Sequence, residues 1–144
     1  MATSYKALAL EYAEIMWNQH DLERGITYFT PGLAASENTA HVTELFDAFS
    51  DLRIDILEPG PIAEGDYVVL RVAVTGVHDS ADFAGMPPSG RQLRWESIRI
   101  FRFEEGKIAE TWAMQDRLGL MQGLGAIESR AGEVHWAAGG NKPS

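Results

Sequence analysis

WESIRIFRFEEGKIAETWAMQD, residues Trp95 to Asp116, falls into two stretches of alternating character on either side of Glu105-Gly106. Glycine supplies the positive φ of a tight hairpin turn, so the segment reads as two long antiparallel strands joined there. With a two-residue loop the register follows by counting outward. Glu104 faces Lys107, Phe103 faces Ile108, Phe101 faces Glu110, Arg99 faces Trp112, Ser97 faces Met114 and Trp95 faces Asp116. Alternation places all of these side chains on one face. That face is aromatic and aliphatic, yet it carries Arg99, Glu110 and Asp116. A carboxylate beside two tryptophans calls for a reason.

Upstream of the hairpin the periodicity is first helical and then alternating. Thr3 or Ser4 caps a helix running to about Gln19, with Tyr5, Leu8, Tyr12, Ile15 and Met16 as its apolar stripe. Asp21 caps a second, short helix that turns Leu22, Ile26 and Phe29 inward and ends at Pro31-Gly32. After a polar connector, a third helix carries Val42, Leu45, Phe46 and Phe49 on one face and stops near Ser50. Leu52, Ile54 and Ile56 then alternate with polar residues as a half-buried strand, broken at Pro59-Gly60-Pro61. Tyr67 to His78 is a long valine-rich strand. The loop from Asp79 to Arg91 contains Met86-Pro87-Pro88-Ser89-Gly90, which excludes regular structure. Leu118, Met121 and Leu124 predict a last helical turn.

Three helices followed by four or so antiparallel strands predict an α+β fold, with helices packed on one face of the sheet. A curved sheet closing over helices tends to form a conical cavity suited to a small ligand. The 144 residues suffice for one domain, read as residues 1–125, with 126–144 as a loosely held tail of alanine and glycine. A net charge of −9 and no basic cluster argue against nucleic acid and against an anionic membrane surface. The chain has no cysteine, no long apolar run and no secretory leader pattern, so a cytoplasmic location is expected. His20, His41, His78 and His135 are far apart and none sits at ligand spacing, so no metal is expected. Neither a glycine-rich phosphate loop nor a Gly-x-Ser-x-Gly elbow is present.

Two residues are the candidates for acid–base chemistry. Asp116, counted onto the inward face, would have its carboxyl pKa raised by apolar surroundings toward a range useful for proton transfer. The same residue also reads as the cap of the turn before Leu118. His78 ends the long strand in phase with Val68, Leu70, Val72 and Val74, and imidazole suits proton transfer near neutrality. It reads equally as a hydrogen-bonded core histidine. Arg99 and Glu110 could form a buried ion pair that orients a ligand or Asp116, or one that is scaffolding more than chemistry, and Arg99 counts among the candidate substrate-binding residues. Trp95, Trp112, Met114, Tyr12, Trp17 and Phe29 are the candidate cavity-lining residues.

Six segments carry a resemblance. They are Phe49-Ser-Asp-Leu52, Glu64-Gly-Asp-Tyr-Val-Val69, Thr75-Gly-Val-His78, Phe83 to Arg91, Phe103 to Trp112 and Asp116 to Gly125. Together, over roughly residues 4 to 125, they resemble the SnoaL-like polyketide cyclases of the nuclear-transport-factor-2-like superfamily. The resemblance implies three helices packed in a strongly curved antiparallel sheet, a deep apolar pocket and a homodimer or homotetramer. It also implies a tailoring step of secondary metabolism, often without metal or organic cofactor. The aspartate that serves such cyclases as general acid/base maps onto Asp116, and the histidine of the Gly-x-His segment onto His78. The chain departs from the pattern at Thr111, where the family often has histidine, and in a shortened stretch from Pro31 to His41.

The expectation is therefore a cofactor-independent enzyme of natural-product biosynthesis that cyclises or isomerises a hydrophobic, polyketide-like substrate. Asp116 would shuttle the proton and His78 assist. Relatives of the same fold that hydroxylate or open epoxides, and a non-catalytic ligand-binding accessory protein, are the alternatives.

Overall fold

The structure, a computed structural model, describes residues 4–127. The predicted tail therefore lies almost wholly outside the described residues. Helix α1 (Tyr5–Ala13) starts where Ser4 Oγ accepts the Ala7 amide at 3.1 Å. It continues as a π-helical turn, Glu14–Asn18, whose wider coil buries Ile15, Met16 and Trp17 in succession. Asn18 then clamps the sheet edge, accepting from the Ile54 amide at 2.7 Å and donating to its carbonyl at 3.1 Å. Asp21 caps α2 (Leu22–Gly25) as expected. Gly25 lies so close to Met16 that a Cβ there would come within 2.8 Å of the thioether.

Pro31-Gly32 does not end a helix; it opens one. Thr30 caps α3 (Pro31–Ala34), because a proline at the first helical position gives up only an amide that has no partner there. Helix α4 (Asn38–Ala48) follows, and α5 (Arg117–Leu124) is a full helix closed by Gly125 in the left-handed region, φ 88°.

The strands are β1 (Arg53–Ile56), β2 (Ile62–Glu64), β3 (Tyr67–Val77), β4 (Gln92–Glu104) and β5 (Lys107–Gln115). All pairings are antiparallel, in the order β1-β3-β4-β5, with β2 also on β3. The α+β expectation holds: the helices cover one sheet face, and the core joins Tyr12, Met16, Trp17, Phe49 and Leu45 to Val68, Leu70, Val72, Val74, Trp95, Phe101 and Phe103.

The hairpin register departs from simple counting. Glu105 and Gly106 both take positive φ, 49° and 82°, as a two-residue turn requires, and Glu104–Lys107 and Phe103–Ile108 pair as expected. A β-bulge then intervenes: Arg102 pairs with Glu110, and Ala109 is the extra residue. Every side chain beyond it moves to the other face. Phe101, Arg99 and Ser97 face Thr111, Ala113 and Gln115, where Glu110, Trp112 and Met114 were expected. Phe29 bridges Ile108 just before the bulge, and the Thr30 amide donates to the Ile108 carbonyl at 2.9 Å.

The bulge brings Trp112 and Met114 to the outer face of the sheet. Tyr67, Ile98, Ile100, Trp112 and Met114 form one exposed patch there, and Met114 is 79% exposed.

Candidate functional site

A cavity of about 110 Å³ opens between the helices and the inner sheet face. Tyr12 and Trp17 come from α1 and its π turn, Phe29 from the following turn, and His41, Val42 and Leu45 from α4. Val74, Trp95, Arg99, Phe101, Thr111, Ala113 and Gln115 come from the sheet, with Trp112 at the edge. None of these lining residues is an aspartate or a glutamate.

Arg99 is the charged centre of the cavity. Its Cζ lies 4.2 Å from the centroid of the Trp17 ring, a cation–π contact, and its Nε is sealed from solvent with no hydrogen-bond partner among the described residues. Glu110 does not reach it, because the bulge sends that carboxylate outward to Arg102 Nε. The expected Arg99–Glu110 pair is thus absent, and no described carboxylate replaces it. Burial works against the Arg99 charge, yet a guanidinium keeps its proton in proteins.

Tyr12 is buried beside Trp17, whose Nε1 donates to the phenolic oxygen at 3.4 Å. Burial raises the Tyr12 hydroxyl above the ordinary tyrosine value of 10.0, with the Arg99 charge and the Trp17 hydrogen bond pulling the other way. It is a neutral hydroxyl with a proton to donate. Gln115 has its Oε1 occupied by Trp95 Nε1 at 3.2 Å, which leaves the amide NH₂ as its free end. The polar groups of this cavity are therefore mostly donors.

A second cavity, about 380 Å³, adjoins the first and shares His41 and Gln115 with it. Its other walls include Glu44, Asp82, Phe83, Arg117 and Met121, so it is the more polar of the two. His41 stands at the junction, 3.9 Å from Glu44 and more than half exposed.

The sequence-based candidates divide sharply. Tyr12, Trp17, Phe29, Trp95 and Arg99 come together in the first cavity. Trp112 is 45% exposed at the cavity edge and outer face, and Met114 lies wholly on the outer face. Asp116 lies outside both cavities, exposed, with Oδ1 accepting the Gly119 amide at 2.9 Å as the cap of α5. A Cβ on Gly119 would collide with that carboxylate. His78 is fully buried away from the cavity, against Phe49, with Nε2 2.8 Å from the Ala81 carbonyl. That contact makes Nε2 the donor, and the histidine secures the 79–91 loop.

Sequence reasoning missed His41 and Gln115. His41 was legible, since it lies four residues before Leu45 on the stripe that faces inward. Gln115 was not, because only the bulge turns it inward.

No described helix is long and apolar enough to cross a membrane, and no described group of His, Asp or Glu could hold a metal ion.

The model of the SnoaL-like polyketide cyclase family matches residues 7–124. Aklanonic acid methyl ester cyclase DauD of Streptomyces sp. (strain C5) is 32% identical over 116 residues, covering 80% of this chain and 70% of that protein. The crystal structure of AclR from Streptomyces galilaeus, a candidate hydroxylase, superposes with a TM-score of 0.79 at 28% identity, covering 88% of this chain and 84% of that one. A candidate polyketide cyclase from Acidithiobacillus ferrooxidans gives 0.71 at 26% identity, over 88% and 99%. With the match running from the first helix to the last, this chain belongs to the family of SnoaL-like polyketide cyclases.

Proposed function

We propose that the protein catalyses an intramolecular aldol-type cyclisation of a polyketide-like substrate, with the reacting carbonyl in the Arg99 cavity. The observation that carries this reading is an inward-facing guanidinium, its Nε sealed from solvent and no counter-ion beside it among the described residues, inside an aromatic cavity of a polyketide-cyclase fold. Ring closure removes a proton from the carbon beside a carbonyl and places the negative charge on oxygen. The enolate carbon then attacks a second carbonyl, and the resulting alkoxide takes up the proton, so the net reaction is an isomerisation. A fixed positive charge aimed at the enolate oxygen stabilises the transition state more than the neutral ketone. Tyr12 donates the second hydrogen bond to that oxygen. His41, at the junction of the two cavities, accepts and returns the proton, since imidazole is the side chain suited to this near neutral pH.

Asp116 has its carboxylate engaged as a helix cap, so the proton transfer is assigned to His41 in preference to it. His41→Asn should lower turnover about 10²-fold, the usual scale for losing a general base. Asp116→Asn, which keeps the cap, should stay within about threefold of the parent, since asparagine caps as well as aspartate. The opposite ranking of the two variants returns the role to Asp116.

A second reading, hydroxylation, draws on the likeness to AclR. Product mass separates the two: cyclisation leaves it unchanged, and hydroxylation adds an oxygen.

A further inference from the structure

Among the described residues Arg99 meets the face of Trp17 but no carboxylate. A sealed polar atom without a partner demands an explanation, and a buried cation demands a stronger one. Its surroundings restrict what could answer it. The cavity, about 110 Å³, is smaller than the roughly 150 Å³ cavity that accepts benzene, so it limits an occupant to no more than a single six-membered ring. Its walls are the aromatic faces and edges of Tyr12, Trp17, Phe29, Trp95 and Phe101. A compact carboxylate would lose strong hydration on entering such walls, whereas an oxyanion whose charge is spread over a conjugated ring loses less. The donors Tyr12 and Gln115 complement an oxygen acceptor, and no lining carboxylate repels one.

We propose that this cavity binds a single planar ring in its ionised form, a phenolate or the enolate of a cyclic 1,3-dicarbonyl, with the oxyanion on the Arg99 guanidinium. The remainder of a larger substrate extends past His41 and Gln115 into the second cavity. The proposal deepens the cyclisation reading and rests on it for the identity of the cavity as the binding site. Tyr12 and His41 are the other titratable groups lining this cavity, from α1 and α4, so the experiment reads the ionisation of the ligand directly.

The probe is 4-nitrophenol, whose phenolate absorbs in the visible. At a pH where the free probe is mostly neutral, adding protein should raise the phenolate absorbance saturably, because the bound form is the anion. Arg99→Met retains the stem over Trp17 and removes the charge. It should weaken phenolate binding about tenfold or more, the scale of a hydrogen bond to a charged group. Arg99→Lys should retain part of the affinity, and His41→Asn most of it. No saturable binding, preferential binding of neutral phenol, or loss of the absorbance change in His41→Asn with retention in Arg99→Met would each overturn the proposal. The measurement on the parent protein alone decides which form is bound, so the proposal is tested even if a variant fails to fold. Phenolate binding without ring closure of any polyketide would sink the cyclisation reading and leave this one standing. Turnover with no preference for the ionised probe would do the reverse.

Discussion

Arg99 and Arg102 lie three residues apart on β4 and have opposite surroundings. Arg102 points outward and pairs with Glu110 and Glu104 at the surface, where such ion pairs contribute about 1 kcal/mol at most. Arg99 points inward onto Trp17 with no anionic partner among the described residues, an arrangement that costs stability and is retained where binding or catalysis uses it. Glu96 makes the third case, a half-buried carboxylate that takes 2.8 Å and 3.1 Å contacts from Arg71 and Arg94. Burial alone would raise its pKa, but those two arginines outweigh it and hold the carboxyl below its ordinary 4.5. A depressed folded-state pKa stabilises the fold fully above the unfolded value and loses that contribution as pH falls through the folded one. Glu96→Gln should therefore flatten the decline of thermal stability below about pH 4.5, measured as melting temperature against pH. An unchanged acid limb would show that the Arg71–Glu96–Arg94 cluster does not couple to folding.

At the level of elements, the bulge in β5 decides which residues can meet a ligand. Without Ala109 as an extra residue, Trp112 and Met114 would point into a cavity of about 110 Å³ already lined by Trp17, Trp95 and Phe101. Thr111 and Gln115 would point to solvent. The segment from Phe29 to Thr30 holds the bulge by bridging Ile108, and Lys107 donates to the Thr27 carbonyl at 2.7 Å. Deleting Ala109 should consequently be far more damaging than Ala109→Gly, because deletion reverses the face of every later residue in the strand. Circular dichroism melts should show a cooperative, near-parental transition for the glycine variant and no cooperative transition for the deletion. A deletion variant that melts like the parent would mean that the hairpin tolerates either register.

For the whole molecule, the same bulge adds Trp112 and Met114 to Tyr67, Ile98 and Ile100 and so completes an outer apolar patch. An exposed apolar patch of this kind marks an interaction surface. Its rim carries charges of both signs, Arg102 with Glu110 and Arg94 with Glu96, which suits a second copy of the same chain related by a two-fold axis. Sedimentation of the protein should reveal a dimer or larger assembly, and Ile98→Glu with Met114→Lys should shift it to monomer while leaving the melting transition cooperative. A parent protein that sediments as a monomer removes this assembly.

Much of this architecture is written in local chemistry. The caps at Ser4 and Asp21, the helical stripes, the valine alternation of β3 and the Glu105-Gly106 turn act over a few residues. Their outcome can be counted from the chain, as can the inward placing of Tyr12, Trp17, Trp95 and Arg99. One sign of the bulge was also present: Glu110 interrupts an otherwise apolar stripe after Ile108, where a continuous register would bury a carboxylate. What only the tertiary structure decided was everything downstream of that interruption. Both faces of β5 carry apolar residues, so alternation alone does not choose between them, and the choice falls to the fit of the helices against Ile108. That one extra residue separates Arg99 from Glu110, turns Gln115 inward, and leaves Asp116 as the cap of α5 outside both cavities. The physical reason is that a strand has a period of two, so a single inserted residue exchanges its faces, and only packing against the rest of the chain fixes where the insertion falls.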